Sequence, residues 1–405
     1  MKKYNIPFSP PDITEDEINE VIDTLKSGWI TTGPKTKELE RRLSEFTTTP
    51  KTVCLNSATA ALELVLRVLG IGEGDEVIVP AMTYTASCSV IYHVGAKAVI
   101  VDIQKDGHEM DYEALENAIT EKTKAVIPVD LAGIPCDYDK IFEVVNAKKS
   151  LFKANSEYQE KLGRIAVVAD GAHALGSVYK GVKVGAVADF TTFSFHAVKN
   201  FTTAEGGSVT WKENPNFDDE ELYKEFQIYS LHGQTKDALA KTKAGSWEYD
   251  IVIPGYKCNM TDIMASIGLV QLDRYPKLLE RRVELVEQYN KAFEGTRVVP
   301  LIHYADTYKS SGHLYITHIK GATYEQRGEI ITKMAERGIS CNVHYKPLPL
   351  LTAYSNLGFD IKDYPNAYDY FVNEVTLPLH TRLSDEDVKV IVENFKEIVA
   401  EVVGE

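Results

Sequence analysis

The stretch Phe193–Gly207, FSFHAVKNFTTAEGG, follows a strand-like run and surrounds a single lysine, Lys199, with hydroxyls and paired glycines. Taken alone, Lys199 reads most simply as a solvated surface lysine. Three other segments change that reading. Asp170 ends the apolar run RIAVVAD, where burying a carboxylate is costly unless it meets a cation or several donors. Alone, it is an Asp that caps a loop. NSATAA (56–61) lies between a strand-like and a helical pattern, so its amides and the Thr59 hydroxyl are placed to cradle an anion at a helix N-terminus. A plain N-cap by Asn56 or Ser57 is the alternative. Tyr84, in PAMTYTAS, follows another apolar run, and pattern alone favours core packing for it. Together with Ser194, these segments set one amine, one acid, one anion cradle and one aromatic beyond the ends of predicted strands. Pyridoxal phosphate asks for that set: a lysine for a Schiff base, a carboxylate to hold the ring nitrogen protonated, donors for the phosphate, and a flat neighbour for the ring.

The elements that must position these residues are readable from periodicity. Strands are predicted at 52–56, 76–81, 96–103, 124–130, 164–170, 189–195 and 207–211, with helices at 58–70 and 112–120 between the early ones. Short, β-branched apolar strands separated by helices indicate an α/β fold with a mostly parallel sheet buried on both faces. Ligands of such sheets gather at the C-terminal ends of the strands. The glycine-rich LGIGEGDE (69–76) precedes a strand rather than following one, so it reads as a helix-to-strand turn and not as a dinucleotide loop. A long helical pattern covers 262–293, and Pro276 inside it should kink or divide the helix. Beyond it, 313–319 and 339–345 read as strands flanking a helix at 324–338. A closing helix covers 384–402, with Ser384 as N-cap and Asp387 completing a near capping box. The change of texture near 250–290 predicts a cofactor-binding large domain over 1–260, with an N-terminal arm over 1–40, and a smaller α+β domain over 261–405. The polar interlude 144–163 reads as a helix with a surface loop.

Composition sets the outer bounds. The 405 residues, 44% hydrophobic, are enough for two domains with a sizeable core. Against 44 basic residues stand 59 acidic ones, giving a net charge of -15. That argues against non-specific binding to nucleic acid polymers or to an anionic membrane, while leaving room for a local phosphate pocket. Five cysteines are scattered singly, with no metal-ligand or redox spacing, which suits a reducing compartment. No signal-like apolar run opens the chain, and none approaches the roughly 20 residues of a membrane helix. A cytoplasmic enzyme without a metal is the expectation.

At these residues the chain resembles the sugar aminotransferases of the DegT/DnrJ/EryC1 group. The resemblance runs over SGWITTGPKTKELE (27–40), NSATAALEL (56–64), GIGEGDEVIVPAMTYTAS (70–87), DGAHALG (170–176), FSFHAVKNFTTAEGG (193–207), PGYKCNMTDIMASIGLVQL (254–272), VHYKPLPL (343–350) and LPLHTRLSDEDV (377–388). It implies the type I pyridoxal-phosphate transferase fold, with a mostly parallel large-domain sheet and a smaller α+β C-terminal domain. It also implies roles by position. Lys199 matches the Schiff-base lysine and Asp170 the partner of the ring nitrogen. His173 matches a neighbour of the ring and its 3-hydroxyl, and Tyr84 the stacking aromatic. Ala58, Thr59 and Ser194 match phosphate contacts. Asn259 matches a residue reaching the phosphate from a neighbouring subunit, which implies a homodimer. Trp29, Ile30, Thr31 and Thr32 would line the sugar side, with His344, Tyr345 and Lys346 near a nucleotide-sugar. Two positions depart from the pattern: Ala169 stands where Glu is frequent, and Asp130 where His is common.

The activity implied is transfer of the amino group of glutamate to the C4 ketone of a nucleotide-linked sugar. The first and fifth quoted segments are especially similar to the enzyme that aminates a UDP-linked 4-keto-pentose in lipid modification. The same motifs recur across the hexose enzymes, and the expectation is a UDP-4-keto-6-deoxy-N-acetylhexosamine destined for surface polysaccharide. Lys199 argues against the related dehydratases, in which histidine replaces the lysine. No arginine dedicated to a second substrate carboxylate is evident, which argues against an amino-acid aminotransferase. A catalytically dead partner would be expected to have lost Lys199 or Asp170.

Overall fold

The apolar runs of the first half become strands of one sheet in the computed structural model of the chain, which describes residues 3–236 and 248–404. The sheet contains β1 (Thr52–Leu55), β2 (Glu76–Pro80), β3 (Lys97–Val101), β4 (Thr123–Val126), β5 (Ala166–Asp170), β8 (Phe190–Ser194) and β9 (Gly207–Trp211). Its order is β1-β9-β8-β5-β4-β2-β3. Pairings from β3 through β8 are parallel, and only β9 runs against its neighbours β1 and β8. Helices Ala58–Val68, Thr85–His93 and Tyr138–Ala147 connect these strands and help to cover the sheet, so most of its strand residues are buried. This is the mixed α/β architecture, with a parallel-rich central sheet, that the periodicity predicts.

Residues 69–75 form the predicted turn from helix to β2. The interlude 144–163 closes over it with the end of helix Tyr138–Ala147, a short 3-10 turn and helix Glu157–Leu162. Ser156 Oγ and Gln159 Nε2 both donate to the Leu69 carbonyl, at 2.7 and 2.8 Å, so polar side chains satisfy a helix end there.

Two small sheets complete the fold. Strands β6 (Val178–Tyr179), β7 (Val182–Lys183), β11 (Tyr304–Ala305) and β12 (Tyr308–Lys309) form a four-stranded patch too short to read from sequence. Strands β10 (Val298–Pro300), β13 (Tyr315–Ile319) and β14 (Glu374–Leu377) form an antiparallel sheet. Its core is shared with helices Asp262–Phe293, Tyr324–Glu336 and Asp385–Val403, through Tyr289, Phe293, Ile330, Ile391 and Phe395. Ser384 and Asp387 make the predicted capping box.

Two expectations are corrected. Of the kink or division expected at Pro276, the division does not occur, because the helix runs through 32 residues. The proline removes one helical hydrogen bond, at about 3 kcal/mol. Burial of Leu272, Tyr275 and Leu278 on either side of it outweighs that loss. Residues 339–345 are not a strand. Only the isolated bridges Ile6↔Ile339 and Asn342↔Thr376 form. Beyond Asn342 the amides turn to side chains: Val343 N–H donates to Asn342 Oδ1 and His344 N–H to Glu374 Oε2.

Candidate active site

A cavity of about 370 Å³ opens at the edge where the parallel strands end. The register of three strands aligns that edge, since Gly207 of β9 pairs with Leu55 of β1 on one side and Ser194 of β8 on the other. Gly207 is required there. A Cβ on it would lie 2.3 Å from the Ala58 amide nitrogen, inside the turn that starts helix Ala58–Val68. Ser57 caps that helix, its Oγ accepting from Ala60 N–H at 3.1 Å. The plain N-cap reading of this segment is therefore correct for Ser57, and Ala58 and Thr59, in the first turn of the helix, line the cavity.

Lys199 lines the cavity and is half-buried. Burial pushes its pKa down to about 8, against the pull of Asp170. The place of Lys199 in the cavity wall, half-buried, sets it apart from a solvated surface lysine. Asp170 ends β5 and is buried. Its Oδ2 accepts from Ser87 Oγ at 2.6 Å and its Oδ1 from Ala172 N–H at 3.1 Å. Burial still raises its pKa, while these donors and the Lys199 charge pull it down. A buried carboxylate in this condition is short of a close cationic partner. A protonated ring nitrogen is such a partner, so the donor set fits pyridoxal phosphate.

His173 is buried beside them. Its Nδ1 accepts from Ala132 N–H at 3.2 Å, which leaves the neutral ring protonated at Nε2, 3.3 Å from Tyr345 Oη. Burial, with Lys199 and His344 nearby, holds its pKa well below the usual histidine range, so the ring stays neutral. The loop that supplies Ala132 is built for this. Ala132 takes φ 60°, and Gly133 takes φ 82° with Ser311 Oγ only 2.0 Å from where a Cβ would sit. Asp130, the departure from the family pattern, anchors that loop by accepting from Cys136 N–H and Tyr138 Oη, both at 2.9 Å.

Among the other expected residues, Ser194, Ala58, Thr59, Tyr84, His344 and Tyr345 also line the cavity. Tyr84 is 59% exposed and tilts against Tyr345 with ring centroids 5.8 Å apart, which corrects the core-packing reading of its pattern. Trp29, Ile30, Thr31, Thr32, Asn259 and Lys346 do not line it. Ile30, Thr31 and Lys346 are exposed. Trp29 Nε1 donates to the Thr32 carbonyl at 3.1 Å, and Thr32 Oγ1 binds Asn259 Nδ2 and the Met260 carbonyl. This group sits instead on Asp262. Its Oδ1 accepts from Gly33 N–H, Thr36 N–H and Thr36 Oγ1 at 2.7–2.9 Å, and its Oδ2 from Lys35 N–H at 3.0 Å.

Sequence reasoning missed several residues in and behind the cavity. Ser87, buried behind the cavity wall, holds Asp170, and nothing in the local pattern sets it apart from Thr85 and Ser89 on the same helix. His313, two residues before β13, has its ring 4.3 Å from that of His173, with Nδ1 2.8 Å from Asn200 Oδ1. Phe8 and Ser9 arrive from the N-terminal arm. Ser9 Oγ donates to the Val198 carbonyl at 2.9 Å, one residue before Lys199. No periodicity marks such a contact between residues 189 positions apart.

Comparison with known proteins accounts for this arrangement. Residues 11–396 match the DegT/DnrJ/EryC1/StrS aminotransferase family. The spore coat polysaccharide biosynthesis protein SpsC of Bacillus subtilis is 37% identical over 407 residues, covering 98% of each chain. The solved structure of the putative sugar aminotransferase Spr1654 from Streptococcus pneumoniae, in its PMP form, superposes with a TM-score of 0.96. It is 70% identical and covers 98% of this chain and 100% of that one. Its PLP form matches with the same TM-score at 68% identity, with the same coverage. Helicobacter pylori PseC, an aminotransferase involved in the biosynthesis of pseudoaminic acid, gives a TM-score of 0.86 at 28% identity, over 98% of this chain and 100% of that one. The chain belongs to the DegT/DnrJ/EryC1/StrS family of pyridoxal-phosphate-dependent sugar aminotransferases.

Proposed function

We propose that the chain moves the amino group of glutamate to the C4 ketone of a UDP-linked keto-sugar, a 4-keto-6-deoxy-N-acetylhexosamine, in the synthesis of surface polysaccharide. The observation that carries the catalytic part is the pairing of a half-buried lysine of lowered pKa with a buried carboxylate in one cavity. The polysaccharide part rests on the similarity to the spore coat polysaccharide biosynthesis protein SpsC. Bound pyridoxal phosphate supplies the aldehyde and the electron-withdrawing ring that carry the amino group between donor and acceptor. Lys199 is the proposed anchor and proton carrier, and a pKa of about 8 lets its amine both take and give a proton near neutral pH. Asp170 is the proposed partner of the ring nitrogen, with Ser87 keeping its carboxylate in place. His173, a neutral Nε2–H donor, is the proposed contact at the ring edge. Ala58, Thr59 and Ser194 are the proposed phosphate contacts, and Tyr84 the proposed cover of the ring. The two substrates would react in turn at one site, giving ping-pong kinetics.

In this reading the enzyme works as a homodimer in the cytoplasm. Asn259, Trp29–Thr32 and Lys346 serve a cavity they do not line within their own chain by reaching it from a second copy. The test is spectroscopic. Glutamate should bleach the visible absorption of the cofactor-loaded enzyme, and the UDP-4-keto-6-deoxyhexosamine should restore it. Restoration by the UDP-4-keto-pentose alone would move the assignment to lipid modification, as the similarity of the first and fifth motifs would have it. No bleaching by glutamate would sink the donor assignment.

A further inference from the structure

His344 lines the cavity, and its ring is clamped on two sides. Phe8 stacks on it at 5.6 Å and 18°, and Tyr345 meets it edge-on at 5.0 Å and 76°. Behind it lies a carboxylate that the proposed chemistry does not use. Glu374, at the start of β14, is fully buried. Its Oε2 accepts from the His344 N–H at 3.0 Å. Its Oε1 accepts from Thr376 Oγ1 at 2.5 Å, and Thr376 Oγ1 lies 2.9 Å from His344 Nδ1.

The direction of this chain follows from counting protons. An ionised carboxylate only accepts, so the single Thr376 hydroxyl proton goes to Glu374. Thr376 Oγ1 then has only lone pairs for His344, and Nδ1 must be the donor. A neutral imidazole with a proton on Nδ1 carries a lone pair on Nε2. Burial and Lys199 hold the ring neutral, with its pKa near 3. No hydrogen bond occupies Nε2 among the described residues. His173 carries the opposite tautomer, so the cavity holds one histidine that donates through Nε2 and one that accepts.

We infer that Glu374 and Thr376 are positioning residues that fix His344 as a hydrogen-bond acceptor for a hydroxyl or amide N–H of the sugar substrate. This rests on the sugar aminotransferase reading above, and it adds what the site demands of its substrate at that point: a donor. A substrate lacking that donor would leave a desolvated lone pair without a partner.

The relay is reversible by an isosteric change. In Glu374→Gln the amide oxygen keeps the His344 N–H, so the amide nitrogen faces Thr376 and donates to it. Thr376 must then donate to Nδ1, and the His344 proton moves to Nε2. Protonation of Glu374 has the same consequence. Burial raises its pKa to about 7, while Thr376, the His344 amide and the Arg327 charge lower it. Tyr370, Cys341 and Tyr345 also face it. Lowering the pH towards 6 should therefore drive the wild-type ring towards the tautomer of the glutamine variant.

The experiment is 15N NMR of histidine-labelled holoenzyme without substrate, with His344 assigned by its loss in His344→Phe. At a pH well above 7, where Glu374 is ionised, the expected result is a protonated Nδ1 and a bare Nε2 in the wild type, and the reverse in Glu374→Gln. The same variant should raise KM for the UDP-4-keto-6-deoxy-N-acetylhexosamine about tenfold, the scale of one reversed hydrogen bond, with a smaller change in kcat. If Glu374→Gln does not fold, Thr376→Val cuts the chain at its middle and should give a mixture of tautomers. A wild-type ring protonated at Nε2, or a ring insensitive to both variants, overturns the relay. A reversed ring with an unchanged KM overturns the acceptor role. If the wild type ignores this sugar altogether, the substrate assignment fails, while the ring measurement still decides the relay.

Discussion

Asp170 and His173 reach their cavity from the end of β5, and Ser194 and Lys199 from the end of β8, whereas Trp29–Thr32 form one continuous loop that does not reach it. The first group is assembled by sheet register, which brings Leu55, Ser194 and Gly207 side by side although they lie far apart in the chain. The second is assembled by one buried carboxylate. Asp262 gathers Gly33, Lys35 and Thr36 and thereby starts the helix Pro34–Thr47. Both carry family motifs, yet within one chain the first group lines the cavity and the second does not. The difference shows that a motif marks a place where sequence is constrained, and that the constraint can be scaffold as well as chemistry.

The comparison breaks first at Lys199. Lys199→Ala should lower amino transfer by at least about 10³-fold, because the group that anchors and moves the proton is gone. Its thermal unfolding should stay near that of the wild type, since Asp170, which loses the Lys199 charge, keeps its donors Ser87 Oγ and Ala172 N–H. Asp262→Ala should do the reverse. Four donors lose their acceptor, so unfolding in denaturant should show a loss of about 3 kcal/mol. Activity should fall less than in Lys199→Ala, and a larger loss of activity would show that the loop acts in the chemistry directly.

The same contrast explains what the sequence disclosed. Strand ends were legible because β-branched runs such as IAVVAD and FTTF are buried on both faces and carry their polar residue at a fixed edge. The cradle at 56–61 was legible because a helix N-terminus has its own chemical signature. Ser87, His313 and Phe8 were not, since their roles depend on which elements pack together and not on local pattern. The segment 339–345 misled for a related reason. Its alternating residues suit a strand, but Asn342 and Glu374 take the amides that a ladder would use. A division of the helix at Pro276 does not follow because local propensity ignores the packing of Tyr275 and Leu278.

Proton affinity sharpens the comparison within the Lys199 cavity. Only the neutral amine attacks an aldehyde, so covalent capture of pyridoxal phosphate by apoenzyme should speed up as pH rises and level off above about 8. Asp170 raises the lysine's pKa against burial. Asp170→Asn should therefore move the midpoint of that curve to lower pH, as followed by stopped-flow absorbance. An unmoved midpoint would mean that the two groups do not sense one another.

The smallest expected effect is at Ser87, and it separates holding from chemistry. Ser87 Oγ donates to Asp170 Oδ2 at 2.6 Å and lies 2.7 Å from Thr83 Oγ1. Ser87→Ala removes a donor to the charged form, so the Asp170 pKa should rise further. Asp170 is already raised by burial, so the variant's carboxylate should take up a proton at a pH where the wild type remains ionised. Cofactor affinity should fall by up to about tenfold, as for one charge-assisted hydrogen bond, and the loss should widen as the pH is lowered. The unfolding transition of the Asp262 scaffold gives the control, because no contact joins Ser87 to it. An affinity loss that is the same at every pH would assign Ser87 to shape alone and leave the ionisation of Asp170 to burial and Lys199.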